Sequence, residues 1–125
     1  MATREGLYAA LDWFKDALAA RDPARIEWDA GLRYTENNVE LKPGDGVWNT
    51  LTALHPYDLR FADVGHGQVA LFTAVEETDA VSPCAIRLAF RGGCVREAEV
   101  VIARNKDEGF PLRGQAFEDK PAMLA

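Results

Sequence analysis

The chain is short of the residue types that build metal and redox centres. Its 125 residues include two cysteines and two histidines. There is no CxxC and no HxH, so a metal site has little to draw on. Cys84 and Cys94 fall near opposite ends of one expected strand and its turn. The extended part alone spans about 20 Å, and a disulfide needs Cα atoms within about 7 Å. Both are therefore expected as free thiols. Positive charge is also scarce: 14 Lys and Arg face 20 Asp and Glu, for a net charge of -6. Nucleic acid and anionic membrane both demand a basic footprint, so neither is expected as a partner. No apolar run approaches the roughly 20 residues that span a bilayer. The first residues, Met1 to Gly6, lack the apolar core of a signal peptide, and the expected compartment is the cytoplasm. No cofactor is expected.

What is present suits one hydrophobic core: 48% apolar and 27% charged residues. Residues 5–20 carry Leu7, Leu11, Phe14 and Leu18 on one stripe, with Asp12 and Asp16 opposite. This predicts an amphipathic helix. Asp22-Pro23 stops it and starts a short second helix over 23–29. A strand is predicted over 32–40. Asp45 then caps a third short helix over 46–54. Strands follow at 58–64 and 68–77, with a loop over 78–83. The last two strands, 84–90 and 95–104, flank Arg91-Gly92-Gly93, a hairpin signal. Residues 105–125 are polar and rich in Gly and Pro, and read as an irregular tail.

The strand over 32–40 carries the chemistry. Alternate side chains share a face, so Leu32, Tyr34 and Glu36 point one way. A carboxylate aligned with Leu and Tyr points to a core or cavity, where it is costly unless paired, protonated or employed. Glu36 is read as a general base, or as a strand-end carboxylate binding an arginine or the third helix's N-terminus through water. Asp63 shares a face with Leu59 and Phe61. It is either a second polar group of the pocket or a residue entering the Gly65-His66-Gly67 turn. Tyr34 either donates to a substrate oxygen or packs with a satisfied hydroxyl. His55 and Tyr57, bracketing Pro56, belong at a pocket rim. There His55 either shuttles protons or is an ordinary loop histidine, while His66 at a turn tip is expected in solvent. Arg87 is expected on the opposite sheet face, paired across strands with Glu97 and Glu99, and Arg104, which follows Ile102 on the other face, is expected to reach the pocket mouth. In 68–77 both faces are apolar: Val69, Leu71 and Val75 on one, Ala70, Phe72 and Ala74 on the other. Such a strand needs cover on two sides.

Four fragments carry a resemblance: Leu18-Ala19-Ala20-Arg21-Asp22-Pro23, Tyr34-Thr35-Glu36-Asn37, Gly44-Asp45-Gly46-Val47-Trp48 and Arg87-Leu88-Ala89-Phe90-Arg91-Gly92-Gly93. In this order and spacing the chain resembles the nuclear-transport-factor-2-like superfamily, in its SnoaL-like and ketosteroid-isomerase-like branch. The resemblance covers about residues 5–104. It implies an α+β cone: three N-terminal helices packed on a curved mixed or antiparallel sheet around a pocket. Domain 1–104 would form the cone, with 105–125 as tail. It implies pocket walls from Phe14, Trp28, Trp48, Tyr57, Phe61, Phe72, Ile86, Leu88 and Ile102, and a homodimer through the convex sheet face. Glu36 falls where the steroid isomerases place their carboxylate base. Their tyrosine donor aligns with Phe14 and their carboxylic-acid donor with Ile86. Without those donors, steroid isomerase activity is not expected. The expected function is a cofactor-free lyase or isomerase acting on a small apolar or aromatic molecule, with Glu36 as base and Tyr34, His55 or Asp63 assisting. The alternative is a non-catalytic ligand-binding or dimerisation module of the same fold.

Overall fold

In a computed structural model of the chain, residues 2–78 and 80–104 are described. The expected tail, 105–125, lies outside them. The first helix, α1, runs Arg4–Ala19. Thr3 caps it, its hydroxyl accepting the Gly6 N–H at 3.0 Å. The predicted stripe is the buried one: Leu7, Leu11, Phe14, Ala17 and Leu18. Ala20 caps its C-terminus, and Arg21, with a φ of +53°, turns the chain away from the helix. The second predicted helix is reduced to one 3-10 turn, Pro23–Arg25. Its remainder is taken into strand β1 (Trp28–Glu36), because the Glu27 carbonyl accepts the Val95 N–H at 2.9 Å and Trp28 pairs with Val95. Sheet pairing here overrides local propensity.

Strand β1 stops at Glu36, four residues earlier than predicted. Asn37 and Asn38 both have positive φ, +50° and +67°. They form a two-residue hairpin into β2 (Val39–Glu40), with Glu36 opposite Val39. The third predicted helix also shrinks. Only α2 (Val47–Thr50) is helical, and β3 (Leu51–Leu54) takes the rest onto the sheet edge beside Val75 and Glu77. Asn49, Thr50 and Thr52 are weak helix formers. Two helices, not three, therefore stand among the described residues. Strands β4 (Leu59–Asp63), β5 (Gln68–Glu77), β6 (Ala80–Arg91) and β7 (Cys94–Ile102) complete the fold. Strand β6 begins at Ala80, inside the stretch predicted as a loop. It pairs with β5 residue by residue as far as Glu77 opposite Ala80. The Gly92-Gly93 hairpin stands as predicted, with both φ positive.

The seven strands form one curved mixed sheet in the order β2-β1-β7-β6-β5-β3, with β4 also on β5. Strands β1 and β7 are parallel and the other pairs antiparallel. Strand β5 carries two short neighbours along one edge. Strand β4 covers residues 68–72 and β3 covers 75–77. Between them the His55 N–H reaches the Ala74 carbonyl at 2.9 Å. The inner face presents Tyr34, Val69, Leu71, Ile86, Leu88, Ala98, Val100 and Ile102, all at most 1% exposed, to α1. No helix of the described residues is long and apolar enough to cross a membrane.

Leu11 is fully buried between α1 and the sheet. Leu11→Ala is expected to cost about 2–5 kcal/mol, read as a lowered denaturant midpoint at unchanged slope in urea unfolding.

Candidate functional site

Glu36 is on the inner face, 8% exposed, beside Val100 of β7, which in turn pairs with Ile86 of β6. Its Oε1 accepts the Val47 N–H at 2.8 Å. Its Oε2 lies 3.4 Å from the Arg104 guanidinium. Arg104 is shared: its Nε and Nη2 meet the two oxygens of Glu77 at 2.8 and 2.9 Å, a bidentate pair. Thr50 of α2 donates to Glu77 as well. The Arg104 hydrogen bond is the main reason that the Glu77 carboxyl titrates below its ordinary value. Over this cluster passes the Gly44-Asp45-Gly46 loop. A Cβ on Gly46 would meet Glu36 Oε1 at 2.4 Å, and its φ is +62°. Glycine is required there on both counts.

Tyr34 neighbours Glu36 on the same face and is 1% exposed. The Trp48 indole N–H donates to its hydroxyl at 2.7 Å. Burial, then the Glu36 charge, push Tyr34 well above its ordinary value, against the Trp48 bond; the phenol stays neutral. Phe14, Trp28, Trp48 and Tyr34 interlock edge to face, with centroids 5.7 to 6.4 Å apart. Trp28 also donates to the Pro23 carbonyl at 2.9 Å. Ile86, Leu88 and Ile102, expected in pocket walls, are buried at 1% exposure or less in the same core. Cys84, on this face, has its thiol pushed up to about 12, chiefly by burial, so it is no nucleophile at neutral pH.

His55 and Tyr57 lie between β3 and β4, both half-buried. The Tyr57 N–H donates to His55 Nδ1 at 3.1 Å, and the Thr73 hydroxyl serves both their carbonyls. Three expected pocket residues are elsewhere. Phe61 and Phe72 touch at 5.9 Å on the outer sheet face, and Asp63 joins them there. Leu59 opposite Phe72 and Phe61 opposite Ala70 fix this parity. Leu59, Phe61 and Asp63 share a face as expected, but it is the outer one, and Phe72 is on it too. Their inward neighbour is Arg60, which salt-bridges Asp12 and Asp58 beneath α1. Asp63 belongs to the turn: it accepts the His66 N–H at 3.2 Å and faces His66 Nδ1 at 2.8 Å. Arg87 pairs on the outer face with Glu97 and Glu99, both at 3.1 Å, as expected.

Glu77 was missed, and Arg104 was expected only near a pocket mouth. Each sits at a strand end, and the registers that bring those ends beside Glu36 are not written in local sequence. A cavity of about 640 Å3 opens at the other end of the sheet. It lies between the first turn of α1, the turn 64–67 and the Gly92-Gly93 hairpin. From Gly93 to Val100, beside Glu36, is about 20 Å of extended chain. Among the described residues no His, Cys, Asp and Glu side chains cluster to hold a metal ion.

Arg104→Met leaves two largely buried carboxylates without their shared cation. At 23% side-chain exposure of the arginine, the expected cost is about 3 kcal/mol, the low end for a broken buried pair. The sign of the pH effect follows from Glu77. Its depressed folded value adds stability above the ordinary glutamate range, lost as pH falls through the lowered value. The gap between wild type and variant should be full at neutral pH and close in acid, as read by thermal melts from pH 7 to pH 3.

Neither a family model nor a curated protein sequence matches the chain. Solved structures do match. An NTF2-like protein of unknown function from Cytophaga hutchinsonii superposes with TM-score 0.62 at 10% identity, covering 82% of this chain and 95% of its own. A Kribbella flavida protein provisionally assigned as a ketosteroid isomerase gives 0.63 at 14%, covering 80% and 79%. AclR from Streptomyces galilaeus, provisionally assigned as a hydroxylase, gives 0.61 at 17%, covering 81% and 91%. At these identities the likeness concerns the backbone fold alone. The chain therefore has the nuclear-transport-factor-2-like fold.

Proposed function

We propose that this chain binds a small, largely apolar molecule and that Glu36 is a structural clamp rather than its catalytic base. The cavity carries the reading. At about 640 Å3 it falls within the roughly 300–1,000 Å3 typical of small-molecule sites. Leu7, Ala10, Val64 and Phe90 give it apolar walls. At the opposite end, Glu36 has Val47 on one oxygen, Arg104 on the other and the Gly46 backbone against it. Those contacts fit a group that holds three elements together.

A second reading keeps Glu36 as the base of a cofactor-free lyase or isomerase. It is favoured by Tyr34, a neutral hydroxyl beside Glu36 on one face, and by Arg104, which both carboxylates share. Asp63 takes no part in it, because it faces away. The readings separate in a titration with the apolar fluorophore N-phenyl-1-naphthylamine. Ala10→Trp, which fills the cavity, should weaken binding tenfold or more, while Glu36→Gln should change it less than threefold. Loss of binding in Glu36→Gln, with Ala10→Trp unaffected, would favour the second reading.

We also propose a homodimer through the outer sheet face. Leu59, Phe61, Phe72 and Val101 are between 44% and 51% exposed there, beside the Arg87–Glu97–Glu99 charges, an arrangement of apolar centre and polar rim. Sedimentation should give a dimer that Phe72→Asp converts to monomer. A wild-type monomer at high concentration would remove this part of the reading.

A further inference from the structure

The cavity at the start of α1 has few polar side chains. Two of those lining it are polar, Thr3 and His66. The Thr3 hydroxyl already accepts from Gly6 as the helix cap. His66 is differently placed. Asp63 grips it twice: Oδ1 takes its backbone N–H at 3.2 Å and Oδ2 faces ring Nδ1 at 2.8 Å. The backbone contact fixes the turn, and the ring contact fixes the imidazole's orientation. A carboxylate beside Nδ1 accepts that nitrogen's proton in a hydrogen bond. The neutral ring is then held as the tautomer whose lone pair is on Nε2.

We infer that His66, oriented by Asp63, is the specificity-determining residue of this cavity, selecting an apolar ligand that carries a hydroxyl group. The inference rests on the reading that the cavity binds a small molecule. Nε2 accepts the hydroxyl proton, and the apolar body lies against Leu7, Ala10, Val64 and Phe90. The His66 side chain is 75% exposed, so it stands at the rim. The ligand's polar end is therefore at the mouth, still partly hydrated, and its apolar end inside. Because water satisfies an exposed Nε2 when the hydroxyl is missing, the discrimination is that of one hydrogen bond exchanged with water, about tenfold at most. Asp63 is a positioning residue: it touches the ring and not the ligand.

Three probes of one shape test this: naphthalene, 2-naphthol and 2-naphthoate, titrated into wild type, His66→Ala and Asp63→Asn. The wild type should bind 2-naphthol about tenfold more tightly than naphthalene. His66→Ala should abolish that preference, bringing the 2-naphthol and naphthalene affinities to within about twofold of each other, and Asp63→Asn should reduce it in part. The 15N resonance of His66 Nε2 should shift with 2-naphthol and not with naphthalene, which a merely structural histidine would not do. A His66-dependent preference for 2-naphthoate would overturn the hydroxyl assignment in favour of an anion. Equal binding of all three would overturn the role of His66 and leave the cavity reading standing. Failure of all three to bind the wild type would overturn both.

Discussion

One guanidinium holds together the end of the sheet opposite the cavity. Arg104 follows β7, Glu36 ends β1 and Glu77 ends β5, and the three meet in one cluster. Val47 and Thr50 of α2 add hydrogen bonds to the two carboxylates. Two negative groups would repel at this spacing without the arginine, and each would be costly to bury alone. With it they become mutual anchors for strands that are not adjacent in the sheet. Asn37 reinforces the join, its side-chain amide bonding both the N–H and the carbonyl of Ile102. The hairpin after Glu36 and the end of β7 are thus fastened a few residues from the ion pair.

Periodicity made much of the fold legible. The stripe on α1 was readable because one face of the helix is buried and the other is not, and strand 68–77 because it is an apolar run bounded by turn signals. Strand β5 matches its expected bounds, since Gly67 and the charges at its end are local punctuation. The lengths of the short helices were not legible. Residues 26–30 and 51–54 have no strong preference of their own, and partners distant in sequence, Val95 and residues 75–77, recruit them into the sheet. The Asn37-Asn38 turn had a local signal in two residues that tolerate positive φ.

The site was half legible for the same reason. Alternation placed Tyr34 and Glu36 inward, and it placed Leu59, Phe61 and Asp63 together. Parity gives relative facing within a strand, and only pairing to β5 decides which side is the core. The even positions of β5 lie outward, so Phe72 carries Phe61 and Asp63 with it. Glu77 gave no sign of its role, because its partner is 27 residues away. Aromatic residues make up 10% of the chain. That four of its rings would pack against one another is a property of the assembled interior.

The doubling of short strands along β5 has a consequence for how the molecule behaves in a crowd of its own kind. A ten-residue apolar strand left at a sheet edge would be a template for intermolecular pairing. Here that edge is fully used: β4 occupies its first half, β3 its last residues, and the His55 N–H the gap between. The strands left outermost on this side are five and four residues long. Each is too short to seed a growing cross-β stack, so the fold guards its most adhesive segment by construction.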